Sequence, residues 1–141
     1  MYRGDFFMSV IIKNNNKQII AVSIGVLISV ILTAMLSCVF ALILNFLSAV
    51  PYGIIDYAVI ATEGLSVFLG AYIAAAITKS RGMITGLIIS IIMLMITVAF
   101  AMGSGKSDVG IITVIRAAVL IICGIGGGIL GVNKKDRIRI H

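Results

Sequence analysis

Glu63 and Arg116 are the two residues of this chain whose types and surroundings allow chemistry inside an apolar environment. Each is a charged residue within a long apolar run of the sequence. A charged side chain at the centre of a bilayer costs roughly 2.5–3.5 kcal/mol on insertion scales, so neither should face lipid alone. Glu63 lies about 9 residues and Arg116 about 6 residues from the predicted outer starts of their runs, which gives them similar depths along a helix. The sequence therefore predicts an ion pair between these two runs.

The Glu63–Arg116 pair has two interpretations, which we keep open here. In the structural interpretation, the pair fixes the register of two helices and neutralises two costly charges. In the functional interpretation, it belongs to an ion or proton pathway or binds a charged head group, with Asp56 at the outer mouth.

Groups for enzymatic chemistry are scarce in the sequence. The only histidine is His141, and no carboxylate–histidine or cysteine–histidine set can be assembled within the apolar runs. Residues 126–131 match the G-x-G-x-x-G string, but a preceding strand and a following acidic residue are both missing. Cys38 and Cys123 lack metal-ligand spacing, so packing is their expected role. We therefore predict a non-enzymatic protein without a cofactor or a metal site.

The composition predicts that lipid is the solvent for most of the chain. Of its 141 residues, 61% are hydrophobic and 11% are charged, and the mean hydropathy is +1.23. A water-soluble domain of this size could not bury so much apolar surface. The apolar runs reach about 20 residues or more without the alternation of barrel strands, which favours helices. We predict an all-α polytopic membrane protein with about four transmembrane helices.

The predicted organisation is a single transmembrane domain with two short flanking segments. Residues 1–18 form a cytoplasmic or interfacial segment whose apolar patch is too short to span a bilayer. Met8 is an alternative start, and the first run is interpreted as an uncleaved anchor rather than a signal peptide. Residues 134–141 form a basic tail. The domain covers 19–133, with spans at about 19–47, 54–78, 83–102 and 111–132.

The distribution of basic residues predicts the orientation in the plasma membrane. Nine lysines and arginines flank the spans on the side that holds both termini, against Lys106 alone on the other side. Because cytoplasmic loops carry the excess of Lys and Arg, we expect both termini in the cytoplasm. The net charge of +6 then favours contacts with anionic head groups at the basic turn near Lys79 and at the tail, and no binding of nucleic acid.

Small residues at helical spacing predict where the helices approach one another. Spans with small side chains on one face can pack at short distance. Aligning Glu63 with Arg116 also matches Ala71 with Gly124, which predicts two tandem hairpins of the same orientation. The predicted packing positions are Ser66, Gly70 and Ala74 on the second span and Gly124, Gly127, Gly128 and Gly131 on the fourth.

Residues 70–76, 79–82 and 126–133, together with Gly86, resemble a known family: the YrzE-like membrane proteins, which are uncharacterised four-span proteins of Gram-positive bacteria. The resemblance implies a four-helix integral membrane protein and carries over no activity, substrate or catalytic residue. Our first hypothesis is a non-enzymatic bundle that forms a homo-oligomer or joins a larger membrane complex. The alternative is a small ion or solute channel or transporter that uses Glu63 and Arg116. Small multidrug exporters share the size and span number, but they have a glutamate in the first span, and this first span has no charge.

Overall fold

The protein folds into four α-helices, as the computed structural model describes it. The backbone is described for residues 2–47, 49–79, 81–105 and 110–136, and the side chains for 16–47, 49–79, 81–105 and 110–133. No strand occurs within these ranges, which confirms the all-α prediction. The helices are α1 (Tyr2–Phe46), α2 (Tyr52–Thr78), α3 (Gly82–Gly103) and α4 (Ile111–Asp136).

Each helix contains a stretch long and apolar enough to cross a membrane. The four stretches are Asn16–Phe46, Tyr52–Thr78, Gly82–Gly103 and Ile111–Asn133. The spans of α2 and α3 lie within two residues of the ranges that the sequence predicts, and α4 begins at the predicted residue. The apolar runs therefore locate the membrane-crossing helices well, as expected when one solvent sets the length of each element.

The first helix is much longer than the sequence predicts. It has 45 residues and begins at Tyr2, whereas the predicted span begins near Ile19. The only proline of the chain is Pro51, so no proline separates residues 2–18 from the span. At 1.5 Å per residue the helix is about 68 Å long, roughly twice the thickness of a bilayer core. The N-terminal part of α1 must therefore extend beyond the hydrocarbon.

Two basic residues with left-handed backbone, Lys79 and Arg81, lie in the short connection between α2 and α3. Lys79 has φ 57° and its N–H donates to the Ala75 carbonyl oxygen at 3.0 Å, which closes the last turn of α2. Arg81 has φ 55° and precedes the first residue of α3. Glycine adopts this backbone at lower cost, so the turn retains two cations where a glycine would be easier to accommodate.

The helices pack as a bundle in which α2 and α3 hold central positions. Helices α2 and α3 contact each other, and each of them also contacts both α1 and α4. Within the described residues, α1 and α4 share no contact. The core between them is built largely from small or compact side chains, so the backbones lie close together. Its buried members are Val67, Ala71, Ala74, Ile89, Met93 and Leu120.

The two hairpins α1–α2 and α3–α4 repeat one packing unit. A Cβ added at Gly70 would overlap the Ser29 Oγ of α1, and one added at Gly124 would overlap the Ser90 Oγ of α3 in the same way. Each serine hydroxyl also donates to the carbonyl oxygen four residues before it, at 2.8 Å for Ser29 and 2.9 Å for Ser90.

The tandem hairpins predicted from the sequence are therefore present, but their register differs by one residue. Gly124 corresponds to Gly70 and not to Ala71. In this register Glu63 corresponds to Ala117, so Arg116 is not the repeat counterpart of Glu63. The sequence alignment that matches Glu63 with Arg116 is therefore one residue away from the register in which the small residues repeat.

Candidate functional site

Glu63 of α2 and Arg116 of α4 form an ion pair inside the bundle. The Arg116 Nε lies 3.4 Å from the Glu63 Oε2, and the two side chains are 23% and 11% exposed. The structure thus brings together the two residues that the sequence pairs. Ile60 and Leu120, about one helical turn away on the same two helices, are buried as well.

The two residues of the pair start from different depths. Helices α2 and α4 are parallel, and their register is given by the close approaches of Gly64 to Val119 and Cys123, and of Phe68 to Gly127. Because of this register, the Glu63 backbone lies about one helical turn deeper than the Arg116 backbone, a difference of roughly 6 Å. The sequence-based prediction of similar depths is therefore wrong in detail. The error arises because α2 and α4 are displaced along their axes, which counting residues from each helix start cannot reveal.

The ion pair lacks hydrogen bonds between its two nearest atoms. Glu63 Oε2 and Arg116 Nε are both buried and neither has a hydrogen-bond partner among the described residues. A buried pair offsets its desolvation cost only when the geometry is good and the remaining donors and acceptors are satisfied. The pair therefore neutralises two charges without the full stabilisation that a hydrogen-bonded pair would supply.

Asp56 lies on the same side of α2 as Glu63, seven residues or about two helical turns earlier. Its side chain is exposed, and it forms no salt bridge within the described part of the chain. By the register of α2 and α4, the backbone of Arg116 lies between the levels of Asp56 and Glu63. The predicted outer carboxylate is thus close in depth to the arginine but is not paired with it.

The small residues predicted on α2 pack mainly against α1. Ser66, Gly70 and Ala74 are all buried. A Cβ on Gly70 would meet Ser29 and the Gly25 carbonyl oxygen, and a Cβ on Gly25 would lie 2.7 Å from the Ala74 Cβ. Gly70 and Ala74 therefore belong to the α1–α2 contact.

The glycines of α4 fall on two separate faces. Gly124 and Gly128 approach the backbone of α3, while Gly127 and Gly131 approach the backbone of α2 at Phe68 and Tyr72. Helix α4 therefore packs against both α2 and α3, with its glycines in contact with the backbone of each.

The partners of these small residues on α1 and α3 are not among the positions predicted from the sequence. Their signal is a spacing of four residues, since Gly25 precedes Ser29 and Gly86 precedes Ser90 by four. Ser90 Oγ lies 2.9 Å from the Leu120 carbonyl oxygen as well, so its one O–H proton is shared between Gly86 of α3 and Leu120 of α4. The residues concerned are Gly25, Ser29, Gly82, Gly86 and Ser90.

Two surface crevices lie away from the ion pair. A crevice of about 180 Å³ between α1 and α2 is bordered by Phe40, Leu44, Val59 and Thr62 among others. A shallow groove of about 520 Å³ follows the C-terminal end of α3 around Phe100. Neither is lined by Glu63 or Arg116, and no cluster of metal-ligating side chains occurs within the described residues.

Four apolar helices packed around a buried ion pair define a multi-pass helical membrane protein. The chain belongs to the family described as protein of unknown function (DUF3792), whose model matches residues 18–131. No curated protein and no solved structure matches the chain.

Proposed function

We propose that this protein is a non-enzymatic helical bundle of the plasma membrane that assembles through α1 with a second copy of itself. The observation that carries the proposal is the low burial of the apolar span of α1. Of the residues in its most apolar stretch, 6% are buried inside the bundle, against 22–44% for the other three spans. Transmembrane helices associate by close packing of small side chains. The exposed surface of α1 offers such side chains at Ala34, Cys38 and Ala41.

The close packing of the interior supports a role in assembly rather than conduction. Helix α4 meets the backbones of both α2 and α3 at its glycines. A conducting chain needs a polar path between its helices, and backbone contacts on two sides of α4 leave little room for one. Lipid and, at the basic turn and tail, anionic head groups are the expected surroundings of such a bundle.

The proposed orientation places both termini in the cytoplasm. It is supported by the excess of Lys and Arg on the side of the termini and of the α2–α3 turn. The resemblance to YrzE-like membrane proteins supports a bacterial origin in a Gram-positive cell.

Disulfide cross-linking in native membranes tests the assembly through α1. The variant Cys123→Ala retains Cys38, which is exposed on α1. We expect oxidation with copper phenanthroline to convert this variant to a covalent dimer, twice the chain mass of 14.9 kDa. The matched control is Cys38→Ala with Cys123→Ala and Ile122→Cys, since Ile122 is 69% exposed on α4.

The control should remain largely monomeric. A Cys38 variant that stays monomeric, or that cross-links no better than the Ile122 control, contradicts self-assembly through α1. A product larger than the dimer would instead indicate a different membrane protein as the partner on this helix.

A second candidate function is a small transporter that uses Glu63 and Arg116. The buried pair favours it, because ionisable residues inside membrane proteins often mark pathways for ions or protons. Proton flux into liposomes under a potassium diffusion potential, followed with a trapped pH-sensitive dye, is a direct test. Glu63→Gln should abolish flux while the protein stays folded. Absence of flux in the wild type, or equal flux in both, excludes proton transport by this pair.

A further inference from the structure

We propose that Arg116 has two alternative carboxylate partners, Glu63 and Asp56, and that a proton bound to Glu63 moves the guanidinium from the first to the second. This inference does not depend on assembly through α1 and does not require transport. It rests on the position of the arginine between two carboxylates of one helix.

Geometry places the two carboxylates on either side of Arg116. Asp56 and Glu63 are seven residues apart, so they lie on the same face of α2 about 10 Å apart along its axis. The backbone of Arg116 lies between their levels on the neighbouring α4. The arginine side chain now extends inward to Glu63. By turning outward it would reach toward Asp56, the natural direction for a side chain near the start of a helix because Cα–Cβ bonds tilt toward the N-terminus.

Within the described side chains, these three residues are the only charged groups in the outer half of the bundle. Lys17, Lys79 and Arg81 lie at the opposite ends of their helices. Helices α1 and α3 present no charged side chain to the pair in their described residues, and α4 adds the Cys123 thiol next to Gly64. Among the described side chains, Arg116 therefore has Glu63 as an inner carboxyl group and Asp56 as an outer one.

The present contact allows Arg116 to exchange Glu63 for another partner. Its nearest atoms, Arg116 Nε and Glu63 Oε2, are not hydrogen bonded, while the arginine side chain is still 23% exposed. A proton taken up from water by the Glu63 carboxylate cancels its charge and changes no other bond. A neutral acid attracts the guanidinium less than a carboxylate does, and Asp56 is the exposed carboxyl group on the same face of α2.

A mutant cycle on the purified full-length chain tests the exchange by thermal unfolding. Glu63→Gln imitates the protonated acid. We expect Asp56→Asn to change Tm by less than about 1 °C alone but by several degrees in the Glu63→Gln background, where Asp56 is the remaining partner. Asp108→Asn is the matched control, since it removes another acidic residue from the outer connections of the sequence and should shift Tm equally in both backgrounds. Equal shifts for Asp56→Asn in both backgrounds would overturn the proposal.

A second measurement compares the wild type with Asp56→Asn, so that the comparison itself needs no variant of the buried pair. The Nε–H signal of Arg116 is followed by NMR in micelles with ¹⁵N-labelled arginine, and the variant Arg116→Lys identifies it by its loss. On acidification we expect the signal to move to different end positions in the wild type and in Asp56→Asn, because the outer partner exists only in the wild type. The same titration path in both proteins contradicts the exchange.

Discussion

Arg116 reaches inward along the bundle to pair with Glu63, whose backbone lies about one helical turn deeper in the neighbouring helix. The contact ties α4 to α2 in one axial register, since sliding either helix by a turn would separate the charges. It also leaves each residue dependent on the other, because a charge alone at this depth is costly.

Removing one charge should harm the protein more than removing both. We expect Arg116→Leu to lower stability by about 3 kcal/mol, since Glu63 is then buried without its partner. Adding Glu63→Gln to Arg116→Leu should restore part of this loss. Thermal unfolding in mild detergent measures both variants, and losses that simply add would show that the two charges are energetically independent.

Two adjacent glycines of α4 should respond oppositely to alanine. A Cβ at Gly127 would collide with the Phe68 backbone, whereas one at Gly126 would lie 3.7 Å from the nearest atom, the Phe68 Cε2. We expect Gly127→Ala to destabilise the bundle by about 1–3 kcal/mol through overpacking. Gly126→Ala should be neutral or stabilising by up to about 1 kcal/mol, since alanine favours a helix over glycine. Unfolding curves of the two variants that coincide would contradict the α2–α4 contact.

The two serines of the repeated hairpin should differ in their contribution to stability. The Ser90 hydroxyl shares its proton between Gly86 of its own helix and Leu120 of α4, whereas the Ser29 hydroxyl donates within α1. We therefore expect Ser90→Ala to cost about 0.6 kcal/mol, an ordinary value for a hydrogen bond between transmembrane helices. Ser29→Ala should cost less, and the difference is measurable by unfolding in denaturing detergent. A larger loss for Ser29→Ala would be inconsistent with the assigned bond.

Labelling from outside the cell checks the proposed orientation. In a background with Cys38→Ala and Cys123→Ala, a membrane-impermeant maleimide should label Lys106→Cys on intact cells. Lys135→Cys should react only after the cells are permeabilised, because the basic tail is expected in the cytoplasm. The reverse pattern would place both termini outside.

The sequence predicted the helices and the charge pair because both follow from the cost of polar groups in lipid. A continuous apolar run long enough to span a bilayer must satisfy its own backbone hydrogen bonds, and it does so as a helix. Glu63 and Arg116 are the two charges set within these runs away from the turns, so the same cost predicts that they meet. These predictions required no knowledge of how the helices are arranged.

The partners of the small residues could not be predicted in the same way. A spacing of four residues defines a face on a helix, but it does not say which helix lies against that face. Gly70 therefore packs on Ser29 of α1, and Gly127 on Phe68 of α2, where the sequence allowed several choices. The extent of α1 was missed for another reason: residues 2–18 are too polar for a span, but polarity alone does not end a helix.

The length of α1 sets the shape that the protein presents to one side of the membrane. The helices α2, α3 and α4 have 22 to 27 residues, whereas α1 has 45. Its far end connects to α2 through only a few residues around Pro51, so the surplus turns must emerge at the N-terminal end. A molecule that approaches the bilayer on that side contacts the protruding N-terminal part of α1 before it contacts the rest of the protein.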